Sequence, residues 1–137
     1  MESSSSPHRL RILAVDDHQD TAESIAMLLR LWGHEVLWVL NAVAVLEQAA
    51  GFSPHLMLID LAMPKVDGYD LVRQLRRAKQ FVSTPMIAVT GFGDEAHRRK
   101  AFDAGFDEVL LKPYPPADLK RLIERASDGG TALSGGV

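Results

Sequence analysis

The sequence predicts an open, doubly wound α/β sandwich, in which helices cover both faces of a five-stranded parallel sheet built as (βα)5. Five short apolar runs alternate with five segments of helical periodicity. The apolar runs show little alternation between polar and apolar residues, which is typical of strands buried on both faces. A length of 137 residues suits one domain and is too short for a closed eight-fold α/β barrel.

Each predicted strand is an aliphatic run that stops at a polar residue. The runs cover residues 10–15, 36–40, 55–59, 86–89 and 109–111. Parallel strands joined by right-handed crossovers all point the same way. Their carboxyl ends therefore meet at one edge of the sheet, where functional groups gather in such folds.

The first two predicted helices are bounded by residues that favour helix ends. Apolar residues recur at helical spacing from Ala22 to Trp32, and Gly33 stops that helix. The second helix covers residues 43–50. Asn41 is its predicted cap, and Gly51 is expected to end it.

The last three predicted helices are amphipathic or capped. The third covers residues 68–78, with an apolar face from Leu71 to Leu75. Four polar residues of this helix are expected to face solvent: Arg73, Gln74, Arg76 and Arg77. Asp94 caps the fourth helix, which runs to Ala104 before Gly105. Pro115 or Pro116 begins the fifth helix, whose core side carries Leu119, Leu122, Ile123 and Ala126.

Composition narrows the functional classes. The chain has 47% apolar and 24% charged residues, a formal charge of −3 and no cysteine. The lack of cysteine excludes disulfides, thiolate zinc sites and Cys nucleophiles, and without a basic excess we expect no nucleic-acid partner. The longest apolar stretch, residues 36–46, is far short of the roughly 20 residues that span a bilayer, so we expect a soluble, cytoplasmic protein without a membrane partner.

The expected domain is residues 10–126. Residues 1–9 are Ser-rich without the apolar core of a secretory signal, and we interpret them as a flexible leader. Residues 127–137 are small and Gly-rich, and we expect a second flexible tail there. We expect no further module after residue 126.

Polar residues at the predicted strand ends form the candidate site. Asp16 and Asp17 follow the first strand, Asp60 the third, Thr90 the fourth and Lys112 the fifth. Two carboxylates about 4 Å apart repel by on the order of 4 kcal/mol at an effective dielectric constant of 20. A hard divalent cation relieves that repulsion, and an all-oxygen site favours Mg²⁺, with Mn²⁺ as a possible substitute.

The same group of residues suits phosphate chemistry. Lys112 offers a mobile positive charge and Thr90 a hydroxyl donor, both suited to the oxygens of a phosphoryl group. A metal-bound aspartate is then a candidate nucleophile. His18 beside the acidic pair is interpreted as an exposed residue at a helix start, although a metal or proton role is open to it.

Four segments resemble the receiver domain of two-component response regulators. They are VDD (15–17), LIDLAMPKVDGYDL (58–71), IAVTG (87–91) and GFDEVLLKPY (105–114). The intervals also fit that family: Asp60 lies 44 residues after Asp16, Thr90 30 after Asp60 and Lys112 22 after Thr90. The residues of these segments are most similar to those of stand-alone receivers of the hybrid-sensor-kinase type, which share the flavodoxin-like fold.

The resemblance implies a role for each matching residue. Asp60 would accept phosphate from a histidine kinase or a histidine phosphotransfer protein, and Thr90 and Lys112 would contact the phosphoryl group. Mg²⁺ would be held by four groups: Asp16 (through a water), Asp17, Asp60 and the Ala62 backbone carbonyl. The family's loop and Lys-Pro pair correspond to Met63, Pro64, Gly68 and Pro113. The domain would not be an enzyme beyond its own phosphorylation and dephosphorylation, and it would be a monomer or a weak phosphorylation-dependent dimer.

Three positions depart from the family pattern. The family's switch position, three residues before Lys112, usually carries an aromatic residue or His, but here it is Val109. In the family, the hydroxyl at the Thr90 position and that ring move together. The resemblance does not extend to this coupling, because Val109 has no ring. Ala62 and Phe92 are apolar at positions that border the pocket mouth, and we expect them to position hydrolytic water poorly and give a long-lived phosphoprotein.

Three other functions remain as alternatives. A pseudo-receiver that only docks is compatible with Val109. A phosphatase with an aspartyl-phosphate intermediate would need a second acid two residues after its nucleophile, where this chain has Ala62. A flavodoxin-like cofactor binder fits less well, because the acidic pair would repel a flavin phosphate and the first strand is not followed by a Ser/Thr-rich loop.

Overall fold

The computed structural model describes residues 9–63 and 67–127. One parallel sheet has the strand order β2-β1-β3-β4-β5. Its strands are β1 (Arg11–Val15), β2 (Glu35–Val39), β3 (Leu56–Asp60), β4 (Met86–Thr90) and β5 (Glu108–Leu111). The predicted doubly wound (βα)5 fold is confirmed. Apart from Arg9 and Ser127, the predicted leader and tail lie outside the described residues.

Five helices connect or follow the strands. They are α1 (Gln19–Leu31), α2 (Ala42–Phe52), α3 (Gly68–Arg77), α4 (Glu95–Ala104) and α5 (Pro116–Ser127). A 3-10 turn at Lys79–Phe81 was not predicted. Within the described ranges, no helix combines the length and apolar character needed to cross a bilayer.

The core has two layers because the sheet is covered on both faces. One layer packs around Leu13, Met57 and Met86, and the other around Ile12, Leu56 and Ile87. Every residue of β3 and β4 is buried, which explains their continuous apolar sequence. The sheet therefore holds the end of β3 in a fixed central place, between the ends of β1 and β4.

Helix caps follow the sequence in most places and differ at α2. Asn41 accepts the backbone N–H of Ala44, as the cap prediction required. However, α2 does not end at Gly51: it continues to Phe52, and Ser53 takes the left-handed conformation at φ 53°. The Arg11 side chain donates to the carbonyl oxygens of Phe52 and Ser53 at 3.0 and 2.9 Å. A cation bound to the last carbonyls stabilises the longer helix.

Arg76 is a second departure, because it does not face solvent. The Arg76 side chain is only 18% exposed. It donates to the carbonyl oxygens of Phe81, Thr84 and Gly105 at 2.7–3.0 Å, and to the Asp107 carboxylate at 2.8 Å. These bonds tie α3 to the turns before β4 and β5. The sequence pattern missed them because their partners are distant along the chain.

Two imidazoles accept backbone N–H groups at the amino end of the sheet. The N–H of Leu10 donates to His34 Nδ1 at 3.1 Å, and that of Arg11 donates to His55 Nδ1 at 2.8 Å. Burial lowers the pKa of His34, and burial with the Arg11 charge lowers the pKa of His55. Each imidazole must therefore be neutral, with no proton on Nδ1, to accept its backbone N–H group.

Replacing Arg76 by Ala should destabilise the fold strongly, because several half-buried acceptors would lose their donor. We expect Arg76→Ala to lower the free energy of unfolding by about 2–4 kcal/mol. Arg73→Ala is the matched control, since Arg73 makes one exposed ion pair with Asp70 on the same helix. That loss should be about 0–1 kcal/mol. Urea unfolding of both variants measures the difference, and equal losses would contradict the role of Arg76.

Acid should destabilise the protein through His34. Because its folded pKa lies below the unfolded value, the unfolded chain binds a proton first as the pH falls. The free energy of unfolding should therefore decrease from about pH 7 towards about pH 5. His34→Asn removes one of the two rings with a lowered pKa and should reduce this slope in urea unfolding at a series of pH values. Val82→Asn, an exposed substitution without a titratable group, should keep the wild-type slope; a wild-type slope in His34→Asn would refute the assignment.

Candidate functional site

The candidate site lies at the carboxyl edge of the sheet, where the predicted residues converge. Asp60 and Thr90 are the last residues of β3 and β4. Asp16 and Lys112 follow β1 and β5 directly. Because β3 lies between β1 and β4 in the sheet, Asp60 occupies the middle of this edge.

Asp60 is buried and has a partner for each carboxylate oxygen. Its side chain is 3% exposed. Lys112 Nζ lies 2.7 Å from Oδ2, and the backbone N–H of Ala62 donates to Oδ1 at 2.8 Å. A buried carboxylate is stable as an anion only with such charge and hydrogen-bond partners. The contact between Lys112 and Asp60 therefore keeps a charged group available at the end of β3.

Lys112 is fixed from two directions. Its backbone N–H donates to the Thr90 carbonyl oxygen at 2.7 Å, which extends the ladder between β4 and β5. The peptide bond from Lys112 to Pro113 is cis. The side chain then crosses β4 to reach Asp60, so one residue spans three strands of the sheet.

Asp16 and Asp17 form an acidic pair beside Asp60. Burial is the main cause that raises the pKa of Asp16, and the negative charge of Asp60 raises it further. The backbone N–H of His18 donates to Asp16 Oδ1 at 2.9 Å and acts in the opposite direction. Asp16 is 4% exposed, whereas Asp17 lies at the surface. The edge thus carries more buried negative charge than Lys112 alone offsets.

His18 belongs to this acidic group. Ligand atoms of Asp16, Asp17 and His18 all lie within 4.8 Å of one another. The His18 Nδ1 atom is 3.1 Å from Asp17 Oδ1 and 3.4 Å from Asp16 Oδ1. The ring is 62% exposed and precedes α1, as predicted, so its imidazole can move away from the pair.

The donor set fits a hard cation. Carboxylate oxygens of Asp16, Asp17 and Asp60 lie at one edge, and oxygen ligands are those that Mg²⁺ prefers. Burial is the main cause of the raised pKa of Asp16, and the Asp60 charge adds to it; a bound divalent ion would offset that negative charge. The exposed Ala62 lies two residues after Asp60, at the same rim.

Thr90 is connected to an exposed aromatic ring. Its hydroxyl oxygen accepts the backbone N–H of Phe92 at 3.0 Å, and its side chain is buried. The Phe92 ring is 60% exposed and stacks on the His97 ring of α4 at 4.7 Å. Val109 pairs in register with Ala88 of β4 and is half-buried. The Thr90 hydroxyl is therefore bonded to the backbone of an aromatic residue, Phe92, while Val109 of β5 supplies no ring.

The remaining predicted positions lie around the loop after β3. Met63 is 3% exposed and belongs to the core, while Pro64 lies outside the described residues. Gly68 is the buried first residue of α3, where a Cβ would lie 2.4 Å from Leu61 Cδ2. Its backbone is not in the positive-φ region. Gly68 therefore provides room for the Leu61 side chain, and α3 is capped instead by Asp67.

Sequence reasoning missed two aromatic neighbours of the site. Trp38 of β2 donates its indole N–H to the backbone carbonyl of Asp16 at 3.0 Å. Tyr114 lines a cavity of about 480 Å³ that reaches Asp16, Asp60 and Lys112. Burial and the charges of both aspartates raise the pKa of Tyr114. Its place two residues after Lys112 was a signal, whereas Trp38 reaches the site across a strand pairing.

A family model described as the response regulator receiver domain matches residues 12–124. The chain belongs to this family. Receiver domains are signalling domains that generally bind Mg²⁺ at an acidic pocket and interact with histidine kinases and effectors. The predicted family and its CheY-like fold are thereby confirmed.

Relatives of this receiver domain differ widely in length. It is 33% identical over 117 residues to an uncharacterised 14.6 kDa protein of Leptolyngbya boryana and spans 89% of it. It is 30% identical to a part of the hybrid signal transduction histidine kinase L of Dictyostelium discoideum, of which it spans 8%. It spans 49% of the transcriptional regulatory protein ResD of Bacillus subtilis, at 33% identity.

Solved structures agree in fold. A putative response regulator from Chloroflexus aurantiacus is 28% identical, with a TM-score of 0.81 over 87% of this chain and 98% of that chain. The receiver domain of a sensor histidine kinase from Pseudomonas aeruginosa, solved with magnesium coordinated in its active-site cleft, is 28% identical. Its TM-score is 0.78 over 86% of this chain and 97% of that one.

Proposed function

We propose that this receiver domain accepts a phosphoryl group on Asp60 from a histidine kinase or a histidine phosphotransfer protein. The observation that carries the proposal is the environment of Asp60: a buried carboxylate held by Lys112 and the Ala62 N–H, beside a second buried carboxylate. Those groups orient an anionic nucleophile in a site of low water content. The likeness to hybrid kinases and DNA-binding regulators supports such a donor.

The transfer step balances as a displacement at phosphorus. A carboxylate oxygen of Asp60 forms the O–P bond as the P–N bond of the donor phosphohistidine breaks. The electron pair of that bond returns to the imidazole, which takes a proton from solvent. Lys112 then lies within reach of the phosphoryl oxygens, and the Thr90 hydroxyl, at the neighbouring strand end, can donate to them.

The residues that would hold Mg²⁺ are Asp17, Asp60 and the Ala62 carbonyl, with Asp16 acting through a water. Mn²⁺ is a possible substitute, because it also prefers oxygen ligands. The bound ion would neutralise charge on the phosphoryl oxygens during transfer. Asp16 lies close enough to Asp60 that the Asp60 charge raises the pKa of Asp16.

The output is proposed to be a change in affinity for a separate effector. Phosphorylation adds negative charge beside Lys112 and Thr90, and it can shift the population of two conformations. The Thr90 hydroxyl would leave the Phe92 N–H when it turns to the phosphoryl group. A phosphorylation-independent docking module is the alternative that Val109 favours, since this position lacks the family's usual aromatic ring.

Incubation with acetyl phosphate and Mg²⁺, followed by intact mass spectrometry, tests phosphoacceptance. We expect one added phosphoryl group on the wild type and on Asp103→Asn, an exposed carboxylate on α4 that serves as the control. Asp60→Asn should remain unmodified. If wild type stays unmodified with acetyl phosphate and with a range of histidine-kinase donors, the docking module is the better function. Modification of Asp60→Asn would place the acceptor elsewhere.

Trp38 should report cation binding, because its indole N–H bonds the Asp16 carbonyl. The chain has two Trp, so Trp32→Phe leaves Trp38 as the single fluorophore. We expect Mg²⁺ or Mn²⁺ to change its emission in a saturable way. Adding Asp17→Asn should weaken the apparent affinity by roughly tenfold or more, whereas Asp103→Asn should not. An unchanged titration in Asp17→Asn would count against the acidic pair as ligands.

The phosphorylated protein should be long-lived, because Ala62 and Phe92 offer no polar group to position water. We expect purified phosphoprotein with Mg²⁺ to persist for minutes or longer in timed mass spectra. Ala62→Gln introduces a polar group at the rim and should shorten the lifetime roughly tenfold. Val82→Gln, at an exposed site elsewhere, is the control. Loss of phosphate within seconds from the wild type would refute this expectation.

A further inference from the structure

The outer edge of β2 presents unpaired backbone groups. β2 is an edge strand, bonded on one side to β1. The Glu35 N–H bonds to Leu10 O and the Val39 carbonyl accepts from Asp16 N, so the odd-numbered residues of β2 face β1. Because successive residues of a strand point their polar groups to opposite sides, Val36 and Trp38 direct theirs outward. This edge can pair with another strand.

Exposed apolar side chains are concentrated beside that edge. Nine large apolar residues are exposed among the described residues, and five of them lie between positions 27 and 46. They are Met27, Leu31, Leu40, Val43 and Leu46. Met27 and Leu31, 65% and 77% exposed, line a groove with Trp38. Met27 and Leu31 lie on α1, whereas Val43 and Leu46 lie on α2, which packs on the other face of the sheet. The apolar groove beside β2 is therefore the one that Met27 and Leu31 form with Trp38.

The two edges of the sheet differ in their protection. β5 begins with Glu108, whose carboxylate pairs with Arg125 of α5 at 2.6 Å, and Pro113 follows two residues after the strand. Charges and proline are the usual means of preventing edge pairing. β2 carries one charge, Glu35 at its start, and its sequence EVLWV is otherwise apolar. Among the described contacts, one hydrogen bond occupies an outward-facing group of β2: the Arg30 side chain donates to the Val36 carbonyl at 3.4 Å.

We propose that β2 is a self-association edge, which pairs antiparallel with β2 of a second copy about a twofold axis at Leu37. In this register Val36 lies opposite Trp38 of the other copy, and both are the residues with outward N–H and C=O groups. An antiparallel pair of that kind exchanges two hydrogen bonds, so the twofold gives four. The result is one continuous sheet of ten strands.

The strand is self-complementary in side chains and in charge. The register opposes Trp38 to a β-branched Val36, a favourable cross-strand pair, and Leu37 to its own copy. Glu35 lies opposite Val39, four residues from the Glu35 of the second copy, or about 13 Å along the strand. At that distance the two like charges are largely screened at physiological salt. A polar or strongly charged partner strand would lose the apolar contacts of the groove.

The twofold axis stands perpendicular to the sheet, so α1 of both copies lies on the same face. Leu31 and Met27 of one copy can then cover the groove of the other. The Arg30 side chain must release the Val36 carbonyl, which the N–H of Trp38 from the second copy replaces. Because the strands are antiparallel, the two carboxyl edges point in opposite directions, and each Asp60 site stays open to its donor.

Hydrogen exchange and sedimentation equilibrium on the full chain test this surface. A single five-residue strand pairing with flanking side chains is small, so association should be followed from roughly 10 µM to 1 mM. We expect a monomer–dimer equilibrium, with the amides of Val36 and Trp38 exchanging more slowly at high concentration. Leu31→Lys should raise the dimer dissociation constant roughly tenfold or more, because it places a charge in the apolar groove that the second copy would cover.

Val82→Lys is the control, at a residue with similar exposure far from β2 in the sequence. It should leave association and exchange unchanged, and both variants alter an exposed side chain, so the fold should persist. A monomer across the whole range would overturn the proposal. A dimer whose Val36 and Trp38 amides exchange at a concentration-independent rate would also overturn it. Equal weakening by Leu31→Lys and Val82→Lys would overturn it as well.

Discussion

The ion pair between Lys112 and Asp60 is the interaction on which the functional edge depends. The two residues are 52 positions apart, and their 2.7 Å contact joins the end of β3 to the segment after β5. It gives a carboxylate that is 3% exposed a partner of opposite charge, next to a second buried aspartate. Without a cation at this point, the buried Asp60 carboxylate would lose the partner that compensates its removal from water. The strand order makes the contact possible because it places β3 in the centre.

The two ends of the sheet use polar groups for different purposes. At the carboxyl edge, carboxylates are close together and their negative charge is only partly offset, a condition that favours a cation as ligand. At the amino end, polar side chains satisfy the backbone: His34 and His55 accept N–H groups, and Arg11 caps α2. Polar side chains at the amino end therefore stabilise the backbone, whereas the carboxylates at the carboxyl edge form the candidate site.

Local signals in the sequence predicted most of the fold and the positions of the site residues. Asn41 and Asp94 act as caps, and Gly105 ends α4 at φ 127°, since these effects depend on a few neighbouring residues. Helix α2 continues past Gly51 because the Arg11 side chain, forty residues earlier, donates to the carbonyls of Phe52 and Ser53. The same holds for Arg76, whose partners lie up to 31 residues away.

The site shows the same division. Convergence of Asp16, Asp60 and Lys112 followed from strand ends alone, because a parallel sheet brings them to one edge. The contact of Trp38 with Asp16 could not be predicted, since it depends on the register between β1 and β2 and on the ring's orientation. The stacking of Phe92 on His97 likewise depends on how the loop before α4 folds.

Trp38 takes part in two regions of the molecule at once. Its ring lines the groove beside the sheet edge, while its N–H donates to the carbonyl of Asp16 in the acidic pair. Two binding events that share one side chain are thermodynamically linked, and the linkage is reciprocal. If a cation at the acidic pair alters the affinity of one chain for another by some factor, association must alter the affinity for the cation by the same factor. Cellular protein concentration would then be an input to this receiver, alongside its kinase.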